Sequence, residues 1–299
     1  MKQTSKANSE ASNSGFTARP DAMDFRDRMY NPPLIAVPPE QPLEDYLKLK
    51  VPILDQLTEG ACIGYAIATM IHYQLCSRAF SETKPAKAKL PSDKTASKKS
   101  AHKIEKISVG MLYEMARRYD EWPGRNYLGS SARGAMKGWY KHGVCAESLW
   151  PYDPENPDRL LTDERAADAA KRPLGVYYRV PHRDLSAMHA ALTECGVLFA
   201  ASVVHAGWKK VGDNLKKEKA IIQRESRSVG GHAFALVGYD AEGFWVQNSW
   251  GKNWGYKGYA KLLYDDWLAN GQDVWVGRLG VPVKMSGGVS AVKKAAGGR

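Results

Sequence analysis

The chain has 299 residues, 43% hydrophobic and 25% charged, which excludes an intrinsically disordered protein and supplies enough apolar material for one two-lobed domain or two small ones. Its formal net charge is +11, from 43 basic against 32 acidic residues. Residues 1–20, 81–106 and 284–299 carry all of that excess, and a neutral body argues against a preformed groove for a phosphate backbone.

The three basic segments are rich in Ser, Ala, Gly, Thr and Lys, so they are expected to be two mobile tails and one solvated insertion. The sharper alternative is an electrostatic tether to an anionic partner, nucleic acid or membrane, through 81–106 and the tails. Residues 1–20 lack an apolar core, so no secretory signal peptide is expected. Residues 60–77, the longest uncharged stretch, contain Thr69, His72 and Gln74 and read as a buried helix, not a transmembrane segment. Cys62, Cys76, Cys145 and Cys195 do not read as a disulfide framework in a chain of this length. A reducing, cytoplasmic location is therefore the expectation.

In chain order, residues 24–50 are studded with Pro32, Pro33, Pro38, Pro39 and Pro42 and should run extended along the surface. Ile63, Ala66, Ile67, Met70 and Ile71 recur at helical spacing and predict a helix over 63–74. Beyond the lysine-rich insertion, 109–119 and 131–142 return to a helical pattern, the second closed by Gly143. Residues 150–154 read as a turn-rich corner. Leu185, Met188, Ala191 and Leu192 mark a helix ended by Gly196. Strands are predicted over 197–204, 233–239, 244–249 and 258–263, with a hairpin connection at 240–243. A helical front half and a strand-rich back half predict an α+β fold with a cleft between two lobes.

Cys62 falls at the first turn of the predicted 63–74 helix, where backbone N–H groups and the helix dipole favour a thiolate. Gly60 beside it lets another backbone approach, and Gln56 lies where its amide can point beside the sulfur. His232 immediately precedes the strand at 233–239, and Asn248 ends the strand hairpinned to it. Antiparallel pairing brings the two together, so that Asn248 accepts from one ring nitrogen and leaves the other for a thiol.

Gln56-x5-Cys62, Gly231-His232-Ala233 with Val237-Gly238-Tyr239, and the run from Asn248-Ser249-Trp250-Gly251 to Gly258-Tyr259 resemble the papain-like cysteine peptidases. Gly143-Val144-Cys145-Ala146-Glu147 followed by Trp150-Pro151-Tyr152 is similar to the segment between that family's catalytic parts. The resemblance extends over residues 24–279. It implies a papain-like fold, with a helical lobe and an antiparallel, barrel-like β lobe enclosing the active-site cleft. Cys62 is then the nucleophile and His232 the general base and acid. Asn248 orients the imidazole, Gln56 with the Cys62 N–H forms the oxyanion hole, and Trp250 shields the His232–Asn248 bond. Gly129, with Ser130 and Ser131, and Gly231 are candidates for binding the substrate backbone. The implied substrate is a peptide or protein, with no metal or organic cofactor.

The domain is drawn as 21–283, with the helical lobe mainly 51–180 and the β lobe mainly 181–283, between tails 1–20 and 284–299. Three departures from the family pattern stand out. No second cysteine precedes Cys62 within 56–61, Ile63 stands where an aromatic is usual, and about 60 residues before Cys62 leave little room for a pro-segment. Residues 24–50 are a candidate plug across the cleft. The same machinery also fits an isopeptidase, amidase or transpeptidase, and a catalytically silent basic module is the reading from another class. His72 and Cys76 are a weak metal pair, Cys145 and Cys195 read as inert, and His102, His142, His182, His189 and His205 have no evident partner.

Overall fold

The structure is a computed structural model that describes residues 16–22, 24–58, 60–83, 104–121, 129–153, 155 and 159–282. Most of the lysine-rich insertion, the C-terminal tail and His102 lie outside these residues. The elements in chain order are β1 (Ala18–Arg19), α1 (Leu43–Leu47), α2 (Cys62–Thr83), α3 (Val109–Arg118), β2 (Ser130–Ser131), α4 (Ala132–His142) and α5 (Asp163–Ala169). There follow β3 (Leu174–Arg179), α6 (Leu185–Cys195), β4 (Leu198–His205), α7 (Ala206–Lys209), β5 (Ile221–Ile222), β6 (Ser228–Tyr239), β7 (Gly243–Gln247), β8 (Tyr259–Leu263), α8 (Tyr264–Asn270) and β9 (Gly271–Leu279).

One sheet of seven strands, in the order β3-β9-β4-β6-β7-β8-β5, carries the back half. Its pairs are antiparallel except β5 with β8. Strand alternation divides the residues between two cores. Phe199 and Ala201 of β4, with Ala233, Ala235 and Val237 of β6, face a core shared with Ile63, Ile67, Met70 and Ile71 of α2. Leu198, Ala200 and Val204, with Phe234 and Leu236, face a second core with Met188, Ala191 and Leu192 of α6. Burial on both faces explains why these strands read as unbroken apolar runs. It also explains why α2 is apolar on almost every side of its first three turns.

Two corrections concern the β lobe. The sequence predicts no strand at β3 or β9, yet they pair from Leu174–Leu279 to Arg179–Trp275. β3 lies within 51–180, so the helical lobe as drawn surrenders an edge strand to the sheet. Both strands escape the pattern because β3 is a half-exposed edge and β9 carries a buried charge, Asp273, that an alternation rule assigns to solvent. The helix predicted over 63–74 continues to Thr83, through Arg78 and Glu82 once it leaves the core.

Candidate active site

Cys62 is the first residue of α2 and exposes no surface. α2 packs on β6, so its first turn delivers the sulfur to the backbone N–H of Ala233, with the N–H groups of Ile63, Thr17 and Ala18 also directed at it. Burial pushes the thiol pKa up, and those N–H groups offset part of the rise because they favour the thiolate.

His232 precedes Ala233 on β6, opposite Ser202 of β4. The β6–β7 ladder pairs Ala235 with Gln247, and the next residue, Asn248, meets the imidazole: His232 Nε2 lies 2.8 Å from Asn248 Oδ1. Ser249 N–H donates to the same Oδ1 at 2.9 Å, which fixes the amide with its oxygen toward the ring. Nε2 therefore carries the proton, and Nδ1 holds a lone pair. That Nδ1 is buried and, among the described residues, makes no hydrogen bond to the Cys62 thiol or to any other group. Burial lowers the His232 pKa to about 4, against a smaller rise from Asn248. Thiol and imidazole are thus both neutral at pH 7 in this arrangement.

Gln56 is buried beside Ser249, with its N–H donating to the Ser249 carbonyl at 2.8 Å. Ser249 Oγ donates to Gln56 Oε1 at 2.5 Å, which commits the oxygen end and leaves the amide nitrogen as the donor end. Trp250 stacks on His232 with centroids 5.0 Å apart and an interplanar angle of 30°. Trp208 meets the same ring edge-on at 5.9 Å and stacks on Trp254. Trp208 and Ser249 were not singled out from sequence. Ser249 was legible as the neighbour of Asn248, whereas Trp208 follows a strand and carries no local signal.

A sequence model described as papain family cysteine protease matches residues 88–271, well over half of the chain. The chain belongs to the papain family of cysteine proteases. The match takes in His232 and Asn248 and begins after Cys62. Xylellain, a cysteine protease from Xylella fastidiosa, is 25% identical with a TM-score of 0.67, covering 89% of this chain and 96% of that one. A gut-specific cysteine proteinase of Caenorhabditis elegans is 27% identical over 223 residues, 72% of this chain and 64% of its own length. An uncharacterized peptidase C1-like protein of Acanthamoeba polyphaga mimivirus is 27% identical over 167 residues, 50% of this chain and 51% of its own length. The chain thus spans between half and two thirds of these curated relatives.

In this papain-family chain the cleft is filled by its own N-terminal segment. Residues 16–20 were expected to belong to a mobile tail; instead Ala18 and Arg19 form β1, parallel to Ser130 and Ser131 of β2, and Thr17 bridges to Gly231. The residues proposed to bind a substrate backbone bind this strap. A Cβ on Gly231 would lie 2.0 Å from the Ala18 carbonyl oxygen, and one on Gly129 (φ +101°) 2.0 Å from that of Thr17. Thr17 Oγ1 donates to the Gly60 carbonyl at 2.6 Å, and the Phe16 ring stands edge-on to His232 (5.8 Å) and Trp250 (5.7 Å). The backbone N–H groups of Thr17 and Ala18 in the strap lie at the sulfur, where they favour the thiolate. The candidate plug, 24–50, lies elsewhere: Met29 bridges to Arg179 and Gln41 to Tyr239.

Behind the strap, Asp21 accepts the Arg133 backbone N–H at 3.0 Å, in the first turn of α4. The Arg133 guanidinium, 2% exposed, bonds both oxygens of Asp27 (2.8 and 2.7 Å), both of Glu121 and the Ala22 carbonyl. The Asp21 N–H donates to Asp273 at 3.0 Å, and Asp273 pairs with Arg179.

Three of the histidines for which the sequence offered no partner, His142, His189 and His205, have one. His205 Nε2 lies 2.7 Å from Asp266, His142 Nε2 2.8 Å from the Tyr119 hydroxyl, and His189 Nε2 2.9 Å from that of Tyr264. His72 accepts the Ile107 N–H at 3.1 Å. Among the described residues no cluster of three or more His, Cys, Asp and Glu has the arrangement to hold a metal ion. No described helix is long and apolar enough to cross a membrane.

Proposed function

We propose that this chain is a cysteine peptidase that hydrolyses peptide or protein substrates through a thioester on Cys62 and rests with its own strap in the cleft. The observation that carries the reading is the 2.8 Å His232–Asn248 bond, which leaves Nδ1 without a partner among the described residues, one position along β6 from Ala233, whose backbone N–H lies at the Cys62 sulfur. With the strap displaced and water admitted, the burial that keeps both groups neutral is relieved. A proton then passes from Sγ to Nδ1, and the thiolate forms at a helix N-terminus. The thiolate attacks the substrate carbonyl, while the Cys62 N–H and the Gln56 amide hold the oxyanion, each contributing roughly 3 kcal/mol. His232 returns the proton to the leaving nitrogen, then takes one from the water that hydrolyses the thioester. Asn248 keeps the productive tautomer, and Trp250 with Trp208 keeps water from that bond. Gly129 and Gly231 leave the channel open to an incoming backbone as they do to the strap.

Four unpaired cysteines support action in a reducing compartment such as the cytoplasm. The lysine-rich stretch 81–106 and the tails remain our candidates for contact with an anionic partner. The test of function is labelling with an epoxysuccinyl thiol inhibitor, with peptide mapping and turnover of a quenched peptide library. Modification confined to Cys62, lost in His232→Ala together with turnover, is the expected result. Equal labelling of all four thiols, or turnover surviving in Cys62→Ala, would refute the assignment.

A further inference from the structure

An open cavity of about 360 Å³ is bordered by Lys50, Ile53, Asn214, Lys252, Lys257 and Tyr259, with no carboxylate in its lining. Among the described residues none of the three lysines has an ion-pair partner. Their backbone is unusual as well. Four described non-glycine residues have positive φ, and three of them, Lys50 (54°), Asn214 (53°) and Lys257 (57°), border this cavity. Lysine is an uncommon occupant of that region, which asparagine and glycine fill more easily. Two lysines held there at the rim of one cavity form a concentration of positive charge that the fold maintains against local preference.

The cavity is joined to the catalytic pair by a short ladder. Gln56 N–H donates to Ser249 O at 2.8 Å, Asp55 bridges to Trp250, and Gly251 N–H donates to Leu54 O at 3.1 Å. Ile53 and Lys252, the next positions, are at the cavity. Three steps of extended chain cover about 10 Å. The direction follows from the strap: Arg19 and Ala18 lie at β2, whereas Phe16 lies at Trp250, where the ladder begins. His232 must protonate the leaving nitrogen, so the leaving segment passes His232 and its stacked Trp250 and continues toward the lysines.

We infer that Lys50, Lys252 and Lys257 form a cationic subsite that selects peptides bearing an acidic side chain about three residues beyond the scissile bond. The inference rests on the peptidase reading above. The subsite lies apart from the reacting atoms, so its contribution is to binding and substrate choice. Three partly solvated lysines give selectivity of roughly tenfold, which salt weakens.

The test uses quenched peptides that differ only in Glu, Gln or Lys at that third position, cleaved by the full chain and by a triple variant, Lys50→Asn, Lys252→Gln and Lys257→Asn. Asn is chosen because it tolerates positive φ, and thermal melts check that the variant folds. For the unaltered chain kcat/KM should be about tenfold higher for Glu than for Gln, lowest for Lys, and less discriminating in about 0.5 M salt. In the triple variant the Glu-to-Gln ratio should fall to about 1. A ratio near 1 in the unaltered chain, or one that survives in the variant, overturns the proposal. If the full chain cleaves none of the peptides, the strap has stayed in the cleft or the peptidase reading fails, which labelling of Cys62 by the epoxysuccinyl inhibitor tells apart, and the subsite is judged by calorimetric titration with a triglutamate peptide against triglutamine. Preferential triglutamate binding lost in the variant then supports an acid-binding site, and equal binding of the two peptides overturns it.

Discussion

His72 and His232 are both buried, and desolvation draws both down to about 4, but their surroundings differ. His72 Nε2 accepts the Ile107 N–H inside the core, a structural role. His232 donates through Nε2 to a side chain, Asn248, and stacks on Trp250; in both rings Nδ1 is buried without a partner among the described residues, so it is the Nε2 partner that sets them apart. The His72 shift has a consequence for stability. Above pH 6.5 the ring is neutral in the folded and unfolded chains alike, so it adds no pH dependence. Between 6.5 and 4 the unfolded chain takes up a proton that the folded chain refuses, so stability falls as the pH is lowered, by about 3 kcal/mol over that window. Urea midpoints at pH 7, 6 and 5 measure it, and His72→Gln, which keeps an acceptor for Ile107, should make the dependence shallower by the His72 share while the share of His232, shifted the same way, remains. The spacing of His232 and Asn248 was legible in the sequence because a hairpin register is local arithmetic. Trp208 was not, because it reaches the imidazole from the end of β4 across the β4–β6 ladder, and no spacing along the chain encodes that.

The strap is the element whose behaviour the sequence conceals. Phe16-Thr17-Ala18-Arg19 has neither the length nor the alternation of a strand, and two residues of β1 have no stability alone. Its order comes from a prepared channel in which Gly129 and Gly231 leave room for its carbonyls. Gly231→Ala should therefore expel it, because the new Cβ would stand 2.0 Å from the Ala18 carbonyl oxygen, a backbone atom with no rotamer to change. With the strap out, Cys62 should react with iodoacetamide at least about tenfold faster than in the unaltered chain, read by timed quenching and peptide mapping. Equal rates would mean that the strap does not govern access to the thiol. β3 and β9 teach a related lesson, since neither is convincing until the other lies beside it.

At the scale of the molecule, the cleft is the seam between α2 with its partner helices and one face of the sheet. Each lobe supplies part of the proposed catalytic set, Cys62 and Gln56 from one side and His232, Asn248 and Trp250 from the other. The chain leading from the strap closes the other end of this arrangement through Arg133. Arg133→Met would take one cation from Asp27, which keeps Arg179, and the cation from Glu121, which is partly exposed, so the cost falls below that of a fully buried pair, at about 2 kcal/mol. The expected outcome is a lower urea midpoint of that size with Cys62 more reactive, and an unchanged midpoint would show the cluster to be energetically idle. Of the segments that carry the net charge of +11, only the end of the first, with Arg19 in the strap, enters this arrangement.

The sequence by itself determined the α+β class, the principal helices and four of the strands, and the residues that the family resemblance assigns to catalysis. These are properties of periodicity, capping and short-range register, which act between near neighbours in the chain. Only the tertiary structure decided that residues 16–19 occupy the cleft, that β3 joins the sheet beside β9, that Arg133 gathers Asp21, Asp27 and Glu121, and that three lysines surround one cavity. Each of those arises from groups far apart in sequence, whose interaction is set by shape and burial after the chain has folded.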